Sequence, residues 1–414
     1  MTTSGSQIYN VTAGDIITEA LGLIGVYSPG ESIDASESTD ALRSLNMMLK
    51  AWQSRYGLWL HRELWLLLQA DQVKYSIGPT GAHCTSNGVK TEIATAASSG
   101  ASTVVVDAYT DIGNTFDRNG ISEASTPTGA GSLTLGGALC SAGIATLSGN
   151  RKILIYSDAD DSGVSFGVTG KDAAGVDVTE TITGPNTTTV YSTYEYKTIT
   201  SVTIDGAGTG NIEVGQVGDH IGIELDDDTI QWTNIGAAVA STTLTLITTL
   251  TDDVAVDNHV YTYTSKTPMP VQLIECRLHK ADDYETPLTI TGRHFYTALS
   301  NKTTEGTPNQ VFYDKQLTNG DFYVWPEPNN MQEYIRFTAK LPIQIMSELT
   351  DDFEIAQEWF EAIAWNLAPR LAPKYGKPID QTMVLMGRDM LEEARISDSD
   401  NASVFIQVTS EGRG

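Results

Sequence analysis

The feature that most constrains this chain is a change of residue type part-way along it. From Pro79 to about Ser265 the sequence is rich in Gly, Thr, Ser, Ala, Val and Asp and nearly empty of Lys and Arg. Turn dipeptides such as Asn87-Gly88, Gly184-Pro185 and Asp205-Gly206 break it at short intervals. β-branched residues favour extended backbone and these dipeptides reverse it, so the stretch reads as all-β. Strand-like alternation runs through Val164, Phe166 and Val168, then through Val176, Val178 and Ile182, with Glu180 the one exception. So many short strands with one buried face suit a sandwich.

The β region also reads as nested. Residues 102–114 end in a turn without a clear partner, and residues 217–250 supply strands of similar make. The expectation is one β domain from 80–114 and 217–265, with a second, 115–216, inserted into it. One large sandwich is the alternative.

Both flanks carry helical periodicity. Thr12 and Asp15 match a capping box ahead of the stripe Ile16, Ile17, Ala20, Leu21 and Ile24, which stops at Gly25. Leu42, Leu45, Met48, Leu49, Trp52 and Tyr56 recur at three and four, ahead of Gly57. Near the other end, Asp351 with Glu354 reads as a cap for a helix striped by Phe353, Ala356, Phe360, Ile363, Leu367 and Leu371. A second stripe, Ile355, Trp359 and Ala362, makes that helix apolar on more than one side. Pro369 and Pro373 should kink or end it, leaving Arg370, Lys374 and Lys377 by its C-terminal dipole. A last helix covers 378–396, and 320–343 reads as a β-hairpin turning at Pro326, Pro328, Asn329 and Asn330.

The fold class expected is therefore multidomain α plus β. Both chain ends, 1–79 and 266–396, form a helical core around Leu45, Leu49, Trp52, Trp359, Phe360, Ile363, Trp365 and Leu367. The nested pair of sandwich-like domains is inserted between them. Residues 397–414 form a polar arm whose strand-like Val404, Phe405, Ile406 and Val408 need a partner.

The chain has 414 residues and a formal net charge of −27, a balance opposed to gripping nucleic acid by neutralising phosphates. Cys84, Cys140 and Cys276 are widely spaced, with no disulfide framework or zinc spacing, as in a reducing cytosol. No basic start with an apolar run marks a secretory signal, and the longest run of large apolar residues, 64–68, is too short to span a membrane.

Candidate chemistry is weak throughout. The acidic turn 158–163 lacks the bidentate Glu that an EF-hand needs twelve positions on, where Thr169 stands, so it reads as a hairpin turn, as does 224–228. The Gly-rich 206–211 leads into a strand, without the helix N-terminus that cradles phosphate. Ser165 satisfies a GxSxG pattern inside an alternating strand, where no nucleophile elbow forms. His61, His83, His220, His259, His279 and His294 show no clustered spacing. Catalytic, cofactor and metal residues are expected to be none, and the chain is not read as an enzyme.

Four stretches carry a family resemblance: 15–60, with "LIGV" and "ALRSLNMMLKAW", then 287–316, "FYVWPEPN" and "EWFEAIAWNLAPRLAPKYGK". Together they resemble the head-to-tail adaptor, or tail accessory factor, of short-tailed bacteriophages. The β modules are similar to the immunoglobulin-like or adhesin-like decorations of phage structural proteins. The resemblance implies a virion neck protein made in the bacterial cytoplasm. It implies a ring, of twelve subunits, that docks under the portal protein, closes the filled head and carries the tail nozzle or fibres. DNA would pass without sequence-specific binding, and Val404, Phe405, Ile406 and Val408 would reach the portal. The long β insertion departs from the smallest family members. Competing readings are a receptor- or carbohydrate-binding tail protein and, behind it, a peptidoglycan-degrading tail enzyme.

Overall fold

A computed structural model describes residues 9–27, 34–55, 60–280, 284–329 and 334–397. The chain is mostly β, with several sheets and with helices near its ends. The helices are α1 (Ala13–Leu23), α2 (Ala35–Arg55), α3 (Arg293–Thr297), α4 (Trp359–Leu371) and α5 (Gln381–Ser397). Contacts divide the chain into two compact units, 1–60 with 342–414, and 61–341.

In the first unit α1 opens on the capping box anticipated above. The Asp15 amide donates to the Thr12 hydroxyl, and the Thr12 amide donates to the Asp15 carboxylate at 2.9 Å. The buried stripe Ile16, Ile17, Ala20 and Leu21 then shares one apolar core with Leu45, Leu49 and Trp52 of α2 and Trp359, Ile363 and Leu367 of α4. Trp359 is 2% exposed, and Phe360 is buried beside it.

One expectation about α4 is corrected. Asp351 does not cap it: its carboxylate accepts from the Ser347 and Glu348 amides at 2.6 and 2.9 Å, while residue 352 bridges back to Thr12. The helix begins at Trp359, after a Glu358 that is itself helical and makes no side-chain cap. Its other end is as expected: the helix stops at Leu371, between Pro369 and Pro373. A single missing amide near the last turn is tolerated, and the chain tightens into a 3-10 turn, Ala372–Tyr375, closed by Gly376 at φ 66°. Where α4 meets α5, a Cβ on Gly387 would stand 3.1 Å from the Trp365 carbonyl oxygen, so glycine permits the close crossing. Asn366 donates across it to the Gly387 carbonyl at 2.6 Å.

The second unit opens with an eight-stranded sheet. Its order is Lys74–Ile77, Gly320–Trp325, Gln310–Asp314, Glu285–Thr291, Gln272–His279, Tyr334–Leu341, Leu60–Leu67, Cys84–Thr85. Residues 266–341 therefore belong to a sheet, and not to a helical core bearing one hairpin. The hairpin at 320–343 is not formed: Gly320–Trp325 pairs with Lys74–Ile77 and Gln310–Asp314, while Tyr334–Leu341 pairs with Gln272–His279. Those consecutive strands stand four steps apart in the order, about 19 Å in a flat sheet. Yet Phe322 and Phe337 have ring centroids 5.4 Å apart, so the sheet curls around its apolar face. Burying Phe322, Val324, Ile335 and Phe337 inside that curl outweighs the local turn signal.

Residues 117–216 form a two-sheet sandwich. Ile121, Ile155 and Val214 from one sheet meet Leu147, Phe166, Val168 and Val202 from the other. The strands drawn from 89–106 and 220–263 do something else. Ile230–Asn234, His220–Glu224, His259–Tyr263, Val89–Thr95, Thr103–Val106 and Thr243–Thr245 pair in that order. The two outer strands then join just beyond their ends. Ile235 bridges Leu246, and the Gly236 amide donates to the Thr245 carbonyl at 2.8 Å. The result is a small closed barrel around Val104, Ile221, Ile223, Leu244 and Val260, where a sandwich was expected. Closure removes both sheet edges.

Candidate functional site

The acidic turn and the Gly-rich loop, weighed separately above, meet. Asp161, 2% exposed, accepts from the Ser157 hydroxyl and the Thr209 amide, both at 2.5 Å, and from the Gly210 amide at 3.2 Å. Asp158 accepts from the Asn211 amide and side chain at 2.7 and 2.9 Å. A Cβ on Gly210 would fall 2.4 Å from the Ser157 hydroxyl. The loop that resembled a phosphate cradle thus holds the chain's own carboxylates. Burial raises the Asp161 carboxyl, but these donors outweigh it and hold the group below its ordinary range. Ser165 lies in the strand Ser165–Lys171. Among the described residues no cluster of three or more His, Cys, Asp or Glu is arranged to hold a metal ion.

A second, buried set of titratable groups lies where barrel and sandwich join. The strand His220–Glu224 is buried at all five positions, so its outward side is covered as well as its inward one. Outward-facing His220 lies opposite Tyr263 and Asn234, and outward-facing Gly222 opposite Trp232 and Tyr261. A Cβ on Gly222 would stand 2.7 Å from the Trp232 ring, so glycine lets that ring fold over the strand. His83 stacks on Trp232 at 3.7 Å, with ring planes 3° apart, and its Nδ1 lies 2.5 Å from the Tyr263 hydroxyl. His220 donates from Nε2 to the Asn150 carbonyl at 2.9 Å, and Nδ1 faces the Asn234 amide at 3.3 Å. This pairing suits the neutral imidazole. Burial, then Lys266, pushes His220 down to about 3 and His83 well below its usual value.

Arg151 is 0% exposed beside this pair. It donates to the Val217 carbonyl at 3.1 Å, the Thr264 carbonyl at 2.8 Å and the Thr115 hydroxyl at 2.6 Å, and pairs with Asp219 at 3.5 Å. Thr264 in turn donates to Asp219 at 3.0 Å. The seam continues into the curled sheet through Tyr261, Tyr334 and Trp65, the last two stacked at 5.1 Å. His, Asp, Arg and Tyr could in principle do acid–base work. Groups this deeply enclosed, and paired with one another and with main-chain carbonyls, lock three β layers together instead. Sequence spacing could not show this, because the members are far apart; the one local signal was His220, Gly222 and Glu224 at alternate positions of one strand, with isoleucines between them.

In the helical unit, Leu45, Leu49, Trp52, Trp359, Phe360, Ile363 and Leu367 lie in one buried apolar cluster. Trp365 is not with them. It is half-buried on the wall of a groove of about 550 Å³ between α1 and α4, shared with Tyr9, Val11, Ile16 and Phe360. Asp15, Glu19 and Glu361 rim that groove. A second groove, of about 590 Å³, adjoins it along Tyr9, Val11 and Phe360. Of the three basic residues after Pro369, Arg370 is exposed. Lys374 and Lys377 donate to the carbonyls of Asp40 and Gly25, at 3.1 and 3.0 Å, tying α4 to its neighbours. The arm residues Val404, Phe405, Ile406 and Val408 lie outside the described residues. No helix among the described residues is long and apolar enough to cross a membrane.

No protein-family model matches this chain, and no characterised protein matches it in sequence.

Proposed function

We propose that this protein is the head-to-tail adaptor of a short-tailed phage: a ring-forming virion component that docks under the portal, closes the filled head and connects it to the tail. The observation that carries the reading is the helical unit drawn from residues 1–60 and 342–414, whose one apolar core leaves two adjoining grooves open beside Tyr9 and Phe360. A docking module needs a rigid core beside an open surface, here one of mixed polar and apolar character. The β layers, locked by the Arg151–Asp219 and His83–Trp232 contacts, suit a stiff attachment for nozzle or fibres. The net charge of −27 suits a wall that DNA must pass without adhering, at a screening length of about 8 Å in physiological salt.

The sugar-binding alternative needs a platform of exposed rings, since sugars stack on ring faces. Tyr194 is 55% exposed, but Tyr196 is 0% exposed, so the two do not make one. Negative-stain images of the purified chain mixed with its portal test the adaptor reading. Ring-on-ring complexes are expected, weakened when the chain ends at Asn401; their absence at micromolar concentration overturns it.

A further inference from the structure

Asn150, 5% exposed, stands next to Arg151 at the end of the sandwich strand Ile144–Arg151, and its main-chain carbonyl accepts from His220 Nε2. Its side chain donates from Nδ2 to Glu195 Oε2 at 2.8 Å and accepts from the Ala173 amide at Oδ1, at 3.0 Å. These partners fix which way the carboxamide points, because a carboxylate only accepts and a main-chain N–H only donates. The same Glu195 Oε2 lies 3.4 Å from Lys266 Nζ, on a side chain that is 8% exposed. Lys266 follows the barrel strand His259–Tyr263, and Glu195 precedes the sandwich strand Tyr196–Ile204. One carboxylate oxygen thus touches both an amine and a carboxamide, brought together from distant parts of the chain and largely closed off from water.

We infer that the folded chain joins Lys266 Nζ to Asn150 Cγ in an isopeptide bond, with Glu195 as the catalytic group. Glu195 takes a proton from the Lys266 ammonium, and the neutral amine attacks Asn150 Cγ. The Ala173 amide already holds Oδ1, the oxygen that becomes negative in the tetrahedral intermediate. Glu195, already bonded to Nδ2, hands its proton to that nitrogen, and the Cγ–Nδ2 bond breaks. The nitrogen of the new amide gives its remaining extra proton to Glu195, which passes it to the departing ammonia. Ammonium leaves, the carboxylate is restored, and the step needs no oxidant or cofactor. Enclosure favours the bond, since holding amine and carboxamide against one oxygen makes their encounter intramolecular. The product ties the sandwich to the segment that leaves the barrel, and closing so long a loop restricts the unfolded chain. The inference is independent of the adaptor reading.

Intact-mass spectrometry of the purified full chain, followed by peptidase digestion, tests it. The expected result is a chain lighter than its sequence by one ammonia, and a branched peptide in which the Lys266 and Asn150 segments are linked. Lys266→Arg, which keeps a charge beside Glu195, should show the full mass of its own sequence. Glu195→Gln should slow formation of the bond at least about a hundredfold. Near-ultraviolet circular dichroism matching the parent shows that both variants are folded, and the parent mass decides the matter even where a variant is not. A folded parent that keeps its full mass through prolonged incubation overturns the proposal. An ammonia loss that maps elsewhere, such as a succinimide at Asn87-Gly88, overturns it too. A branched peptide that forms equally fast in Glu195→Gln overturns the part given to Glu195.

Discussion

Trp52 of α2 and Trp359 of α4 meet with ring centroids 6.3 Å apart and planes tilted by 52°. They come from opposite ends of the chain and are 3% and 2% exposed. This contact is one of several that join the two terminal segments, with the Ala13 and Gly14 amides on the Asp351 and Leu349 carbonyls and Asn46 on Met346. Aromatic pairs of this kind add about 0.5–1.5 kcal/mol beyond their area burial.

Trp359→Ala is expected to destabilise the helical unit by about 3–5 kcal/mol, because a fully buried indole leaves a cavity that the packed helices cannot fill. Trp365→Ala, at a half-buried groove wall, should cost about 1 kcal/mol. Denaturant unfolding of both variants checks this; equal losses would contradict the placement of Trp365 on the groove.

Gly222→Ala puts a methyl group against the Trp232 ring, which is itself pinned by His83. A cost of about 1–3 kcal/mol is expected from this overpacking. Thermal melts monitored by near-ultraviolet circular dichroism would show it. A melting point equal to that of the parent would mean that Trp232 is free to move aside.

Acid should weaken the β seam through His220. Its folded value, about 3, lies below the ordinary value of 6.5, so the unfolded chain takes up a proton that the folded chain refuses. The stability from keeping this ring neutral is complete above pH 6.5 and is lost as pH falls from there towards 3, at about 1.4 kcal/mol per pH unit. His220→Gln should flatten the fall between pH 7 and 5 by about 2 kcal/mol. His83, also depressed by burial, leaves a residual slope in that variant. Unfolding free energies at the two pH values measure it, and parallel slopes in parent and variant would refute the assignment.

Asp161→Ala removes the acceptor for the Ser157 hydroxyl and the Thr209 and Gly210 amides, at an expected cost of about 1.5–3 kcal/mol. Because those donors already engage the carboxylate, millimolar calcium and its chelator should leave the parent melting point unchanged. A calcium-dependent rise would show that the loop opens to take a cation.

Several features were legible locally. The Thr12–Asp15 cap, the α1 stripe and the alternation through Phe166 and Val168 each depend on neighbours within a few residues, and each is present in the structure. Other local signals were overruled. Pro326, Pro328 and Asn329 marked a turn, but the strands on either side of it pair elsewhere. Asp351 had the right spacing for a cap and instead fastens its own turn.

What the sequence determined alone was the cap and apolar stripe of α1 and the buried face of strands such as Ser165–Lys171, because periodicity and capping act over three or four residues. The tertiary structure decided which strand lies beside which, that one six-stranded set closes into a barrel, and that His83, His220 and Tyr263 share a seam with Arg151. Those choices turn on burying curved apolar faces and on pairing charges far apart in the chain. No short window of residues holds the energy of either.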